Sequence, residues 1–400
     1  MKPWGTGQLS DFWYMDREGT LTKTLPSQGL SLYDSIIGDC ARGNGQCRLV
    51  KGDAYWFNAC CHYSVELYRY SGGTVEKVLP FEGGDIYGFD IHDDLIVFTA
   101  SSRGCAQDIY IGNLADGSYE KVTDINGDWL KDKYIGMPEY IPFTDRDGVR
   151  VDGWAVRPID YDETKKYPAV LMVHGGPRCA YGEIFNHEVQ VFASAGYFVF
   201  YCNPRGSEGY GEEFADLRGK YGTIDYADVM DFIEHAVSLY PVDLNRVYEE
   251  GGSYGGFMSN WIVGHTDFFA AVCSQRSISD WVCDFGSSEI GVTFDGNEMA
   301  ATPWTDMQKM WDQSPIKYAC NAKTPILFIH SLEDYNCPIQ QGVEMFTAMK
   351  YFNVPSRMCI FEGENHSLSR TGKPKHRMRR QNEMLNWFDK YRKGEDGQNA

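Results

Sequence analysis

The sequence predicts an α/β protein in which a doubly wound parallel sheet follows a smaller β-rich region. Two observations predict this class. Beyond about residue 160, continuous apolar runs of strand length alternate with helical segments, which is typical of a parallel sheet covered by helices on both faces. Before residue 135, short strands rich in aromatic residues are separated by glycine turns. We therefore predict two domains, residues 1–134 and residues 135–400.

The N-terminal region contains a weak repeat. Similar strand–turn–strand units start at residues 11, 65 and 108, and residues 91–102 predict one further strand pair. This spacing favours about three blades of a β-propeller, whose four-stranded blades are roughly 40 to 50 residues long. A β-sandwich with similar hairpins is the alternative. Because about three blades cannot close a propeller and leave strand edges unpaired, we expect a shortened version of a longer architecture.

The second domain starts with a hairpin in residues 139–158, with Asp147 and Gly148 at its turn. Strands and helices then alternate to the end of the chain. The first predicted strand starts at residue 169. The later predicted strands cover 197–202, 246–250, 270–274, 325–330 and 356–361. The predicted helices cover 184–195, 225–240, 339–351 and 376–392, and a further helix follows residue 253.

A G-x-S-x-G pattern lies between a predicted strand and a predicted helix, at residues 251–255. In this context the pattern is that of a nucleophile elbow, in which the glycines permit a sharp turn that exposes the hydroxyl of Ser253. The amide of Tyr254 then lies at a helix N-terminus, where it can stabilise a developing oxyanion. With 42 glycines in the chain such a pattern also arises by chance. Whether it marks a nucleophile therefore depends on whether a base, an orienting acid and a second oxyanion donor follow in the right places.

A candidate acid and a candidate base follow in the order that this kind of site requires. Asp334 comes directly after the predicted strand 325–330, and His366 comes after the strand 356–361. The three residues predict acyl transfer: Ser253 attacks a carbonyl carbon, His366 takes and returns the proton, and Asp334 orients the imidazole.

Other acidic residues lie near enough in sequence to compete for the role of Asp334. Glu333 is its neighbour, and Glu362 and Glu364 flank the histidine on a loop that we expect to be solvated. His330 ends a buried strand, and we expect it to be structural.

A second oxyanion donor is expected in the turn His174-Gly175-Gly176-Pro177, at the end of the first buried strand. Glycine there lets a backbone amide approach a tetrahedral intermediate, and we favour the amide of Gly176.

Arg205 follows the next strand. The sequence allows two roles for its side chain, contact with the substrate or an ordinary salt bridge. Candidates for the first specificity pocket lie in residues 277–293, which include Trp281 and Phe285, with core packing as the alternative for both aromatics.

Five segments together carry a resemblance to a known family. They are HGGPR, NPRGSEGYGEEF, GGSYGGFMSNWIVGHTDFF, EDYNCPIQQ and GENHSLSRTGKPKHR. In this order they resemble the prolyl oligopeptidase family of serine peptidases, and most of all its acylaminoacyl-peptidase and dipeptidyl-peptidase-like branch, over residues 136–393. The resemblance implies an α/β-hydrolase domain capped by a β-propeller that admits short peptides. It also implies Ser253, Asp334 and His366 as the triad, with Gly176 and Tyr254 as oxyanion donors.

The resemblance favours a serine peptidase for short peptides that needs no metal or cofactor. A small-ester esterase on the same triad and an inactive, truncated relative are the alternatives. Members of this family often form dimers or larger oligomers, and an exposed blade edge favours association. The formal charge of −19 argues against nucleic acid and anionic membranes as partners. The twelve cysteines are scattered without a C-x-x-C pair, which predicts reduced thiols in a cytoplasmic protein.

Two stretches carry unusual charges. Glu249 and Glu250 directly precede the elbow, on a strand predicted to be buried on both faces. A carboxylate in that position is costly unless it is paired or protonated, and Glu249 is the harder of the two to accommodate. Residues 370–380 are strongly basic, and we expect them to form a solvated face at the start of the last helix.

Overall fold

The structure is a computed structural model, in which apolar and aromatic strand patterns of the described residues produce three sheets, of two, eight and nine strands. It describes residues 12–15, 17–25, 29–32, 36–40, 45–81 and 83–391. The start of the first predicted repeat, at residue 11, and the end of the last predicted helix, at residue 392, lie outside the described residues.

Antiparallel hairpins build the N-terminal region. Within the described residues, β3 to β6 form one four-stranded meander and β7 to β10 form a second, joined where Val65 of β5 pairs with Asp85 of β7. The strands are β1 Phe12–Met15, β2 Leu21–Leu25, β3 Arg48–Lys51, β4 Ala54–Cys61, β5 Ser64–Ser71, β6 Thr74–Leu79, β7 Asp85–His92, β8 Leu95–Ser102, β9 Cys105–Asn113 and β10 Ser118–Lys121. The predicted hairpins are thus confirmed as β1–β2, β5–β6, β7–β8 and β9–β10, while their assignment to a propeller stays a prediction.

The nine-stranded sheet dominates the rest of the described chain. Its strands are β11 Glu139–Tyr140, β12 Phe143–Thr144, β13 Arg150–Val156, β14 Tyr167–Val173, β15 Phe198–Asn203, β16 Val242–Gly252, β17 Ala271–Gln275, β18 Ile326–Ser331 and β19 Ser356–Phe361. Their order is β11-β13-β15-β14-β16-β17-β18-β19, with β12 beside β13. From β15 to β19 all pairs are parallel, whereas β13 runs antiparallel to β15. This is the doubly wound sheet that the sequence predicted.

Helices cover both faces of this sheet. In chain order they are α1 Gly127–Leu130, α2 His187–Ser194, α3 Glu212–Ala215, α4 Ile224–Leu239, α5 Tyr254–His265, α6 Trp281–Ser287, α7 Asp295–Glu298, α8 Met307–Asp312, a 3-10 helix at Pro315–Asn321, α9 Ile339–Tyr351, α10 Leu368–Thr371 and α11 Pro374–Lys390. Apolar residues of α2 and α11 form the core on one face, and those of α4, α5 and α9 form the core on the other. No helix within the described ranges has both the length and the apolar character needed to cross a bilayer.

The parallel strands bring distant loops together. Strands β14, β16, β17, β18 and β19 share a direction, so their carboxyl ends lie at the same edge of the sheet. The crevice outside the carboxyl ends of the strands is where open α/β sheets bind ligands. The residues that follow these strand ends therefore define the candidate site.

Candidate active site

The predicted elbow forms between β16 and α5. Ser253 lies at the turn with φ 64° and ψ −120°, a strained conformation for a residue other than glycine. A Cβ atom at Gly251 would lie 2.8 Å from the Cα atom of Gly255, so only glycine lets the strand and the helix pack this closely. The turn presents the hydroxyl of Ser253 at the carboxyl edge of the sheet.

Three side chains from three separate strand ends form one hydrogen-bonded chain. The distance from His366 Nε2 to Ser253 Oγ is 3.0 Å. On the other side of the ring, His366 Nδ1 lies 2.8 Å from Oδ2 and 3.0 Å from Oδ1 of Asp334. Asp334 Oδ1 also accepts the backbone N–H groups of Asn336 and Cys337, which hold the carboxylate in place. The geometry matches a nucleophile, a base and an orienting acid.

The competing acids lie elsewhere. Glu333 is exposed, and the carboxylate of Glu364 instead accepts hydrogen bonds from the His376 ring and the backbone of Lys373. His330 is buried, with its Nε2 atom 2.8 Å from a backbone carbonyl oxygen. Of the four acids considered, Asp334 is the one that contacts His366.

Burial and nearby charges shift the pKa of the His366 ring. Burial lowers the pKa of His366 from its ordinary value of 6.5, and the positive charges of Arg276 and Arg370 lower it further, while Asp334 opposes them. A lowered pKa keeps the imidazole neutral at pH 7, and the neutral form is the one that can accept the proton of Ser253.

Gly176 and Tyr254 both line the cavity that holds Ser253 and His366. Tyr254 begins helix α5, so its amide has no acceptor within the helix. Gly176 has φ +120°, in the region that favours glycine. A Cβ at the neighbouring Gly175 would lie 3.3 Å from the Cβ of Ser253, so the turn passes directly against the nucleophile. Both predicted oxyanion donors are therefore next to Ser253.

The cavity beside Ser253 has a volume of about 210 Å³ and an apolar wall. Trp281 forms part of this wall, and its indole N–H donates to the carbonyl oxygen of Gln313 at 3.0 Å. Phe285 does not line the cavity and packs against Trp304 instead. The wall also includes Ile278 and Ile290, which lie in the segment 277–293 where the sequence places the candidate pocket residues. Its further apolar members Ile37, Tyr221 and Phe294 were not identified from the sequence.

Arg205 is not among the residues that line the cavity. Its guanidinium pairs with Asp228, Asp147 and Asp145 at 2.6, 2.8 and 2.9 Å. The salt-bridge alternative is therefore the one that the structure supports.

The prediction that residues 370–380 form a solvated face is wrong for Arg370 and Arg380. Arg380 is 2% exposed and forms a bidentate pair with Glu188 of helix α2. Arg370 lines the cavity near Ser253, together with Arg276. Arg276 follows the buried strand β17, and a charged residue directly after a buried parallel strand was the signal that could have identified it.

The two glutamates before the elbow lie inside the molecule, as the sequence indicated. Glu249 is fully buried and accepts a hydrogen bond from the hydroxyl of Ser259 at 2.9 Å. Burial raises its pKa well above the ordinary value of 4.5. Burial also raises the pKa of Glu250 to about 8. Both residues are therefore accommodated mainly as neutral acids.

No set of three or more His, Cys, Asp or Glu side chains in the described part of the chain is placed to hold a metal ion.

Comparison with known proteins relates this arrangement to a family. The family model of the prolyl oligopeptidase family matches residues 183–395, more than half of the chain. A Bacillus subtilis protein named uncharacterized peptidase YuxL is 37% identical over 397 residues, which are 98% of this chain and 60% of that protein. A dipeptidyl-peptidase 5 of Schizosaccharomyces pombe is 32% identical over 285 residues, 68% of this chain and 41% of that protein.

A solved structure of a related peptidase has the same fold as this chain. The acylaminoacyl peptidase of Pyrococcus horikoshii superposes with a TM-score of 0.86 at 30% identity, over 98% of this chain and 60% of that one. The α/β-hydrolase fold is therefore shared with these peptidases. The chain spans about 60% of the length of YuxL and of the Pyrococcus horikoshii peptidase.

Proposed function

Because the chain belongs to the prolyl oligopeptidase family, we propose that it is a serine peptidase that hydrolyses short peptides through an acyl-enzyme on Ser253. The observation that carries this proposal is the continuous hydrogen-bonded chain from Ser253 through His366 to Asp334. The names of the related proteins favour acylaminoacyl- or dipeptidyl-peptidase-like action.

The proposed reaction has two stages. In the first, Ser253 Oγ attacks the scissile carbonyl carbon while His366 Nε2 takes the hydroxyl proton. The proton then passes to the leaving amine, the C–N bond breaks, and an ester to Ser253 remains. In the second stage, water attacks the ester with His366 again as the base, and the acyl product leaves. Asp334 stabilises the imidazolium that forms in each stage.

Two backbone amides are proposed to stabilise the tetrahedral intermediates. The amides of Gly176 and Tyr254 come from opposite sides of Ser253, one from a glycine turn and one from a helix N-terminus. Preorganised donors of this kind typically contribute a factor of about 100 to 1,000 in kcat each. The apolar wall that includes Trp281 would hold the side chain on the acyl side of the scissile bond.

We further propose that residues 1–134 form part of a β-propeller and that residues 135–400 form the catalytic domain. Support comes from the two consecutive four-stranded meanders, which have the strand number of propeller blades. Strands left at the edge of such a region favour assembly into a homo-oligomer. The twelve cysteines form no disulfide with one another, which supports a cytoplasmic location.

Labelling with a fluorophosphonate tests the proposal. A single adduct on Ser253 is expected, and the Ser253→Ala variant should remain unlabelled. The matched control is Ser287→Ala, which replaces an exposed serine and should be labelled like the unmodified chain. An unlabelled protein, or equal labelling of the Ser253→Ala variant, would contradict the proposal. Turnover of nitrophenyl esters without any cleavage of peptide anilides would identify an esterase instead.

A further inference from the structure

Arg276 places a guanidinium directly beside the nucleophile. It follows strand β17 with φ 38°, and its backbone N–H donates to the carbonyl oxygen of Ile329 at 2.8 Å. Its side chain lies over Gly252, the residue before Ser253: a Cβ at Gly252 would lie 2.6 Å from Arg276 Cζ. Arg276 therefore lines the cavity of Ser253 and also a smaller pocket next to it.

The Nε atom of this guanidinium lacks a partner. That atom is buried without an acceptor, and no ion pair or side-chain hydrogen bond of Arg276 is found among the described residues. Burial lowers its pKa to about 10, and the charges of Arg370 and Arg380 act in the same direction. Arg276 as a whole is half-buried, and removing part of a charge from water without a partner is costly. An anionic ligand would offset that cost.

The nearby carboxyl groups are engaged elsewhere: Asp334, whose charge raises the pKa of Arg276, is hydrogen-bonded to His366. Asp39, Glu188 and Glu250 line the smaller pocket. Asp39 accepts two backbone N–H groups at the start of helix α2, and Glu188 pairs with Arg380. Glu250 is mainly protonated at neutral pH because burial raises its pKa to about 8. None of the three forms an ion pair with Arg276.

The position of a second arginine, Arg370, indicates which part of the substrate Arg276 would contact. Arg370 lies four residues after His366, on the short helix α10, and lines the same cavity as Arg276. Both charges act on the ring of His366. In acyl transfer this ring gives its proton to the leaving amine, so a group held beside the ring by the two arginines would belong to the leaving part of the substrate. Trp281 and Ile278 line the same cavity and offer apolar surface to the acyl part.

We propose that Arg276 and Arg370 form the subsite for the leaving group and bind a carboxylate on its first residue. The inference rests on the proposed function, since it assumes that a peptide is cleaved at Ser253. It defines the substrate class as short peptides whose leaving residue carries a negative charge close to the scissile bond. Guanidinium is suited to this task because its planar N–H groups match the geometry of a carboxylate.

Two sources can supply such a carboxylate. One is the α-carboxylate of a single amino acid that leaves as the C-terminal residue. The other is the side chain of an aspartate or glutamate in a longer leaving group. The α-carboxylate carbon is two bonds from the scissile nitrogen, and the guanidinium of Arg276 lies over Gly252, the residue next to Ser253.

Binding to the full chain carrying Ser253→Ala tests the subsite without turnover. The probes are N-acetyl-Phe-Leu, its C-terminal amide, and N-acetyl-Phe-Glu-amide, compared by calorimetry. We expect N-acetyl-Phe-Leu to bind roughly 10- to 100-fold more tightly than its amide, as for a charge-assisted hydrogen bond. Tighter binding of N-acetyl-Phe-Glu-amide than of N-acetyl-Phe-Leu-amide would identify a side-chain carboxylate as a second source. Equal binding of all three probes would overturn the proposal.

Substitutions test whether the two arginines cause the preference for the carboxylate. Adding Arg276→Met or Arg370→Met to the Ser253→Ala chain should abolish most of that preference. The matched control is Arg246→Met in the first half of β16, where the arginine pairs with Asp243, and it should keep the full preference. A preference that survives both cavity variants would overturn the assignment. A carboxylate preference in a chain that fluorophosphonate does not label would refute the peptidase and leave the anion subsite standing.

Discussion

Replacing Glu249 by glutamine removes a titratable group from the centre of the main sheet while keeping its shape. Glu249 lies on β16 between β14 and β17, with its side chain fully buried. One carboxyl oxygen accepts the hydroxyl of Ser259 at 2.9 Å, and the other has no partner. A glutamine keeps the acceptor for Ser259, so the pH-independent contribution to stability should change little.

The effect appears in the pH dependence of the free energy of unfolding. Burial raises the pKa of Glu249 in the folded state well above 4.5, its ordinary value. Below pH 4.5 both states are protonated, and the group adds no pH dependence. As the pH rises, the unfolded chain loses the proton while the folded chain keeps it, so stability falls by about 1.4 kcal/mol per pH unit. By pH 6.5 this loss reaches about 2 to 3 kcal/mol.

Urea unfolding followed by tryptophan fluorescence at pH 4.5, 5.5 and 6.5 measures this loss. The difference in unfolding free energy between Glu249→Gln and the unmodified chain should increase in favour of the variant over this range. The control is Glu333→Gln, which replaces an exposed glutamate and should leave the pH dependence unchanged. Parallel curves for Glu249→Gln and the unmodified chain would mean that Glu249 is ionised in the fold, and the reasoning would be refuted.

Three further outcomes are expected. Asp334→Asn should lower kcat for a peptide anilide by about 10⁴-fold, whereas Glu333→Gln should match the unmodified chain; the opposite pattern would assign the acid to Glu333. A profile of kcat/KM against pH should fall on the acid side as His366 becomes protonated, with its midpoint below 6.5, because burial lowers the pKa of that ring; a midpoint above 6.5 would contradict this. Gly255→Ala should destabilise the fold by roughly 3 kcal/mol, since its Cβ would overlap a carbonyl oxygen of β14. Gly286→Ala, where a Cβ meets nothing within 4 Å, should keep the melting temperature of the unmodified chain.

The strands and the three central side chains could be predicted because each depends on a local pattern. Apolar runs of strand length identify buried parallel strands, and the carboxyl ends of such strands share one edge of the sheet. Ser253, Asp334 and His366 each follow their own strand, so their meeting required no knowledge of side-chain packing. The predicted strand at residues 356–361 agrees with β19, Ser356–Phe361, and the predicted helix at 339–351 agrees with α9, Ile339–Tyr351.

The charges around this centre depend on contacts between distant segments, which sequence patterns do not encode. Arg380 and Glu188 are separated by 192 positions and meet because α11 and α2 cover the same face of the sheet. Arg276 faces the cavity because its backbone turns to φ 38° directly after β17. A residue other than glycine adopts that conformation only where surrounding packing stabilises it, so the direction of its side chain follows from the tertiary structure.

The glycines around Ser253 differ in what they contribute. Gly251 and Gly255 allow the strand and helix of the elbow to pack, which the G-x-S-x-G pattern requires. Gly252 occupies a variable position of that pattern and does not have positive φ, so the turn itself does not demand glycine there. A Cβ at Gly252 would instead overlap the guanidinium of Arg276. The space at residue 252 and the charge at residue 276 thus form one feature, which brings a cation against the nucleophile on the side where the leaving group departs.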